Sequence, residues 1–127
     1  MDGAYMTLTH QFIVIGFLFL ATMATGFWRG NAGQAAFPGI HKLLALTWVV
    51  YTAIVIYHAG RPVEWRAALL AAIAVLAVAM AALIATGSLL TMPQHANAAS
   101  LNAHRIAAAV AAIAGGVTVR LLLLHGR

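Results

Sequence analysis

The stretch Leu101–Ala112, LNAHRIAAAVAA, opens an apolar helix with a histidine and a basic residue, and it has a counterpart earlier in the chain. Reading back from His104, Thr86-Gly87 ends one apolar run; reading back from His41, Thr25-Gly26 ends another. The separation from glycine to histidine is 15 residues in the first case and 17 in the second. This order of apolar helix, Thr-Gly, polar loop, histidine and apolar helix predicts two tandem two-helix repeats.

The composition indicates a membrane protein. Of the 127 residues, 64% are hydrophobic and 7% are charged, whereas soluble domains have about 25% charged residues. Four apolar segments are each close to or longer than the roughly 20 residues that a spanning helix needs. They cover about residues 8–28, 38–59, 65–90 and 103–124. We therefore expect an all-α, integral membrane four-helix bundle of up-down-up-down topology, forming a single domain over residues 1–127.

Several classes of chemistry are excluded by what the sequence lacks. The absence of cysteine removes disulfides, iron-sulfur clusters and covalent c-type haem attachment. Asp2 and Glu64 are the only acidic residues, and both lie outside the predicted spans, which argues against a proton relay of buried acids. The seven basic residues are scattered at helix ends, so they favour membrane lipid over nucleic acid as a partner.

His41 and His104 are the central candidates for a functional site. In an up-down-up-down bundle the second and fourth helices are diagonal and parallel, so these two histidines would lie at matching depth. Helix axes 8 to 10 Å apart give a diagonal of roughly 12 to 14 Å, which is about two imidazoles with a metal between them. The arrangement predicts the axial ligands of one b-type haem. The competing interpretation is that each histidine is an interfacial residue in contact with lipid headgroups.

Other residues on the same side of the membrane fit this prediction. Gly26 and Gly87 would let a flat macrocycle approach the helix backbone. Trp48 lies two turns from His41 on nearly the same face, where it would either stack against the ring edge or pack within the protein. Three basic residues would pair with haem propionates or with lipid phosphate: Arg29, Lys42 and Arg105.

A second group of histidines lies on the opposite side. A second haem is an alternative on this side, with His58 as one ligand and His10 or His125 as the opposite ligand. Seventeen residues separate His41 from His58, which turns the second side chain about 100° from the first, so one straight helix would not direct both at the same diagonal partner. Alternatively, His58 transfers protons near a quinone or is interfacial.

The segment Thr86-Gly-Ser-Leu-Leu-Thr-Met-Pro93, followed by His104-Arg105, resembles the haem-binding unit of the heme A synthase family. The earlier Thr25-Gly26 with His41-Lys42-Leu43 resembles the other helix pair of one four-helix half of such proteins. The resemblance implies axial ligation by the two histidines. The chain is half the family's length, and no acid precedes either histidine within its helix, so a simple cytochrome is expected. Small four-helix bacterial b-type cytochromes are similar in outline.

The predicted function is a membrane b-type cytochrome that carries electrons through one bis-histidine haem, from a donor such as quinol or another cytochrome. Two axial protein ligands favour electron transfer over catalysis. One alternative is a cofactor-free structural subunit of a larger membrane complex. A further alternative is a haem-dependent oxidase or haem-modifying enzyme that acts as a homodimer.

The basic residues also give a weak prediction of orientation. Three of them lie on the side of His41 and His104, and four lie on the other side: Arg61, Arg66, Arg120 and Arg127. The positive-inside rule then places both termini in the cytoplasm of a cell whose inner membrane the chain crosses several times.

Overall fold

The computed structural model describes residues 2–28, 37–60 and 67–125. Within these residues the chain forms helices joined by one described turn, with no strand. The helices are α1 (Asp2–Trp28), α2 (Phe37–Gly60), α3 (Ala67–Leu89) and α4 (Ala98–His125). Each is long and apolar enough to cross a membrane, so the predicted all-α, multi-pass membrane protein is confirmed.

The chain divides into two compact units, unit 1 (Met1–Arg61) and unit 2 (Pro62–Arg127). In unit 1, α1 packs on α2, and in unit 2, α3 packs on α4. The single domain over residues 1–127, the tandem repeats and the up-down-up-down order of all four helices stay predictions.

Within each unit the two helices run antiparallel. Near the start of α2, His41 contacts Thr25 of α1, and further along α2 the ring of Trp48 contacts Phe19. In unit 2, His104 contacts Thr86, whereas Gly115 faces Leu76. The partner residue thus moves backwards along the first helix as the second helix advances.

Helix α4 begins earlier than predicted. Its first residue is Ala98 rather than a residue near 103, because Asn97 caps it: the Asn97 side-chain oxygen accepts a hydrogen bond from the Ser100 backbone N–H at 2.9 Å. The Ser100 hydroxyl also donates to the His95 carbonyl at 2.7 Å. Ser100 therefore lies in the first turn, and His104 lies in the second turn of the helix.

The packed faces follow a heptad-like spacing. In α4 the buried residues include Ala111, Thr118 and Leu122, and in α3 they include Leu69 and Leu76. Large apolar side chains on other faces are exposed, as Phe17 is at 70%. Such surfaces are normal for helices in contact with lipid and unusual for a soluble monomer.

Candidate functional site

The imidazole of His41 bridges the two helices of unit 1. The ring is half-buried, and its Nδ1 atom lies 3.0 Å from the Thr22 carbonyl oxygen and 3.2 Å from the Thr25 hydroxyl oxygen. Both partners belong to α1, near the end of the helix. The start of α2 is thereby joined to the end of α1 by a polar contact within a region that is otherwise apolar.

The hydrogen bonds of His41 determine which ring nitrogen carries the proton. A carbonyl oxygen can only accept, so Nδ1 must donate a proton to Thr22. The Thr25 hydroxyl donates to the Ala21 carbonyl at 2.9 Å and to the Thr22 carbonyl at 3.0 Å, which leaves its oxygen to accept from the ring. In the neutral imidazole the lone pair therefore lies on Nε2, which is one of the two ring nitrogens that can bind a metal.

His104 has the same arrangement in unit 2. Its half-buried ring places Nδ1 2.9 Å from the Thr86 hydroxyl oxygen. When that hydroxyl donates to the Ala82 carbonyl at 2.7 Å, its oxygen accepts from Nδ1–H, and the lone pair of a neutral His104 then lies on Nε2. This is the tautomer that the Thr22 carbonyl selects for His41.

A glycine lies under each histidine ring. A Cβ atom at Gly26 would lie 3.0 Å from Cε1 of His41, and one at Gly87 would lie 3.4 Å from Cε1 of His104. We refer to Thr25 with Gly26, and to Thr86 with Gly87, as the histidine seats. Close approach of a haem macrocycle to these glycines stays a prediction. In the structure the space beside each glycine is occupied by an imidazole ring.

The hydrogen-bonding role of the threonines was missed from the sequence. The Thr-Gly pairs mark the ends of two apolar helices, but the sequence analysis predicts no hydrogen-bond partner for the threonine hydroxyls. Their position 16 residues before His41 and 18 before His104 was the available signal. A threonine on the face of an apolar helix that meets a histidine on its neighbour can hold that ring without an acidic residue.

The other residues predicted to contact haem have different surroundings. Lys42 and Arg105 are exposed, and Arg29 lies outside the described residues. Trp48 is buried, with its ring centroid 5.2 Å from that of Phe19. The propionate contacts and the stacking of Trp48 on a macrocycle stay predictions.

In the second group of histidines, His10 lies near the start of α1 and His58 near the end of α2. His10 and His58 are exposed, and His58 meets the edge of Tyr57 at a centroid distance of 5.5 Å. The side chain of His125 lies outside the described part. A second haem at His58, His10 or His125 stays a prediction.

No group of three or more metal-ligating side chains occurs within residues 2–28, 37–60 and 67–125. Each unit supplies one imidazole whose Nδ1 contacts the preceding helix. Carbonyl and hydroxyl acceptors of this kind orient histidine ligands in metalloproteins.

Compared with known proteins, the chain matches no family model, no curated protein and no solved structure. The interpretation of the site therefore rests on the geometry of the two seats.

Proposed function

We propose that the chain is a membrane b-type cytochrome whose single haem is bound by Nε2 of His41 and Nε2 of His104. One observation carries the proposal: in each unit Nδ1 of the histidine lies within hydrogen-bond distance of an oxygen atom on the preceding helix. A hydrogen bond at the ring nitrogen that does not bind the metal fixes the tautomer and the rotation of an imidazole ligand.

The proposal combines the two units in one bundle. If α1, α2, α3 and α4 alternate in direction around a common axis, α2 and α4 are parallel and both histidines lie near the same membrane surface. The exposed Lys42 and Arg105, with Arg29, would then pair with the two propionates. Orientation in a cell inner membrane with both termini in the cytoplasm belongs to the same proposal.

When bound, a bis-histidine haem supplies one-electron redox chemistry, because both axial positions are filled. The protein binds the group, orients the imidazoles and keeps water from the interior of an apolar bundle. Acidic residues that would take up protons are missing from the predicted spans, since Asp2 and Glu64 are the only two in the chain. Electron transfer from quinol or another cytochrome fits this inventory better than proton pumping does.

Absorption spectroscopy tests the proposal directly. Protein purified from a haem-supplied host should show sharp reduced-minus-oxidised b-type bands, and His41→Ala or His104→Ala should abolish them. His95→Ala is the matched control, because His95 is exposed in the turn between α3 and α4. Colourless protein, or bands that survive in both the His41→Ala and the His104→Ala variants, would overturn the proposal.

A cofactor-free structural subunit is the second candidate, and one observation favours it. Each histidine already links two helices of its unit through a hydrogen bond, and interhelical bonds in membranes contribute about 0.6 kcal/mol on average. In that case His104→Ala lowers the stability of unit 2 or its assembly with partner subunits, and no preparation binds haem.

A further inference from the structure

The two seats share a design that reaches beyond ligation by histidine. In each seat a threonine hydroxyl gives its proton to a carbonyl of its own helix and turns its oxygen towards Nδ1 of the histidine. A glycine next to that threonine leaves room for the ring edge. The hydroxyl is thereby committed as an acceptor, since its single proton is already in use.

This commitment distinguishes the seat threonines from a free hydroxyl. An isolated serine or threonine can rotate and either donate or accept, so it does not select a tautomer. Thr86 donates to Ala82 at 2.7 Å, and the helix backbone fixes that carbonyl. With its proton on that carbonyl, the Thr86 oxygen accepts from Nδ1–H of His104 at 2.9 Å. The helix imposes the tautomer on the ring through the threonine.

We propose that Thr25 and Thr86 are positioning residues that hold His41 and His104 as Nδ1–H imidazoles in the haem-free protein, with the lone pair of each ring on Nε2. The proposal rests on the proposed function, and it names the residues that tune the same site. A hydroxyl acceptor attracts the Nδ1 proton less strongly than a carboxylate does, so it raises the basicity of Nε2 only moderately.

Two consequences follow for haem binding. Loss of the acceptor at Nδ1 lowers the basicity of Nε2 and frees the ring to rotate, so haem affinity should fall by roughly 10- to 100-fold. A decrease in the basicity of the ligand also weakens the binding of ferric haem more than the binding of ferrous haem. The midpoint potential should therefore rise, by about 59 mV for each tenfold change in relative affinity for the two oxidation states.

The experiment uses three substitutions in unit 2 of the full chain. Thr86→Val removes the hydroxyl at nearly constant shape, and Thr86→Ser restores it. Thr118→Val is the matched control, because Thr118 is buried in α4 and donates to the Ala114 carbonyl at 2.8 Å. It carries the same type of bond to its own helix without a histidine at its oxygen.

The first readout is taken without haem. Nitrogen-15 NMR of histidine side chains in detergent micelles should show Nδ1–H for His104 in the parent, in Thr86→Ser and in Thr118→Val, and a mixture of tautomers in Thr86→Val. An unchanged Nδ1–H signal in Thr86→Val overturns the proposal. Loss of fold is recognised by circular dichroism, and Thr86→Ala then provides the test with a smaller side chain.

The second readout is haem titration followed by potentiometry. Affinity should fall and potential should rise in Thr86→Val, and both should return in Thr86→Ser. Equal affinity and potential in the parent and in Thr86→Val overturn the positioning role. Failure of the parent to take up haem overturns the proposed function instead, and the haem-free nitrogen signals still decide whether Thr86 sets the tautomer.

Discussion

Seven residues after its histidine, α2 carries Trp48, whereas α4 carries Ala111 at the same distance from His104. Both positions are buried, Trp48 at 4% exposure and Ala111 at 0%. Unit 1 therefore fills the position with a large aromatic side chain packed on Phe19, and unit 2 fills it with a methyl group. The contact between histidine and seat is compatible with very different packing only two turns away.

The divergence continues one turn further along. Eleven residues after its histidine, unit 1 has Thr52 and unit 2 has Gly115. No hydrogen-bond partner for the buried Thr52 hydroxyl or the Trp48 indole N–H exists in the described part of the chain. Gly115 instead brings the α4 backbone close to Leu76, whose Cδ1 would lie 3.9 Å from an added Cβ. Unit 1 tolerates polar groups where unit 2 uses close apolar packing.

The largest expected effect comes from making unit 1 resemble unit 2. Trp48→Ala leaves a cavity beside Phe19 and should lower the free energy of unfolding by about 3–5 kcal/mol, measured by denaturation in detergent micelles. Phe17→Ala is the control, since Phe17 is 70% exposed and its loss should matter little. Equal losses in the two variants would show that the Trp48 position does not support unit 1.

The seats themselves should differ in their tolerance of a methyl group. Gly26→Ala places a Cβ 3.0 Å from the His41 ring and should cost about 1–2 kcal/mol. Gly87→Ala has 3.4 Å available at His104, so the gain in helix propensity of about 0.5–1 kcal/mol should nearly offset the contact.

Gly16→Ala provides the reference for these two variants. Nothing lies within 4 Å of a Cβ at Gly16, so the substitution should raise stability by about 0.5–1 kcal/mol. Thermal denaturation should therefore rank the stabilities as Gly16→Ala, Gly87→Ala and Gly26→Ala, from highest to lowest. A Gly26→Ala variant as stable as Gly16→Ala would contradict the close contact between ring and backbone.

The smallest effect should show opposite signs in the two units. Thr52→Val removes a buried hydroxyl that has no partner and should raise stability by up to about 1 kcal/mol. Thr118→Val removes the 2.8 Å bond to the Ala114 carbonyl and should lower stability by about 0.5 kcal/mol. Two losses of the same size would indicate that Thr52 has a partner in the folded protein.

Much of the architecture could be predicted from hydrophobic length. Four runs near 20 residues indicate four membrane helices in any context, because the bilayer thickness sets the requirement. The pairing of Thr-Gly with a later histidine singled out His41 and His104, which contact Thr25 and Thr86 in the structure, and their role as haem ligands stays a prediction. The start of α4 could not be placed, since hydrophobic length marks the spanning segment and not the cap, and only the local hydrogen bonds show that Asn97 caps the helix.

The buried helix faces, and the buried polar groups of Trp48 and Thr52, could not be predicted for a different reason. Helix α3 is a near-uniform run of alanine, leucine, isoleucine and valine, so no periodicity separates Leu69 and Leu76 from their exposed neighbours. From the sequence alone, Trp48 is either a stacking residue or, as is more common, a packing residue. Its packing on Phe19 depends on the register between α1 and α2, which short motifs do not specify.

Each histidine is followed immediately by a cation, and the helix turns that neighbour about 100° away. Lys42 and Arg105 are therefore exposed while His41 and His104 are half-buried. In a bilayer a lysine or arginine keeps its charge among the headgroups. Adjacent residues differ in height by only about 1.5 Å, so each charge fixes the immersion of the imidazole beside it. Each unit thus has its own marker of membrane depth. A change in lipid thickness would first move the cation relative to the headgroups, and the neighbouring histidine would move with it.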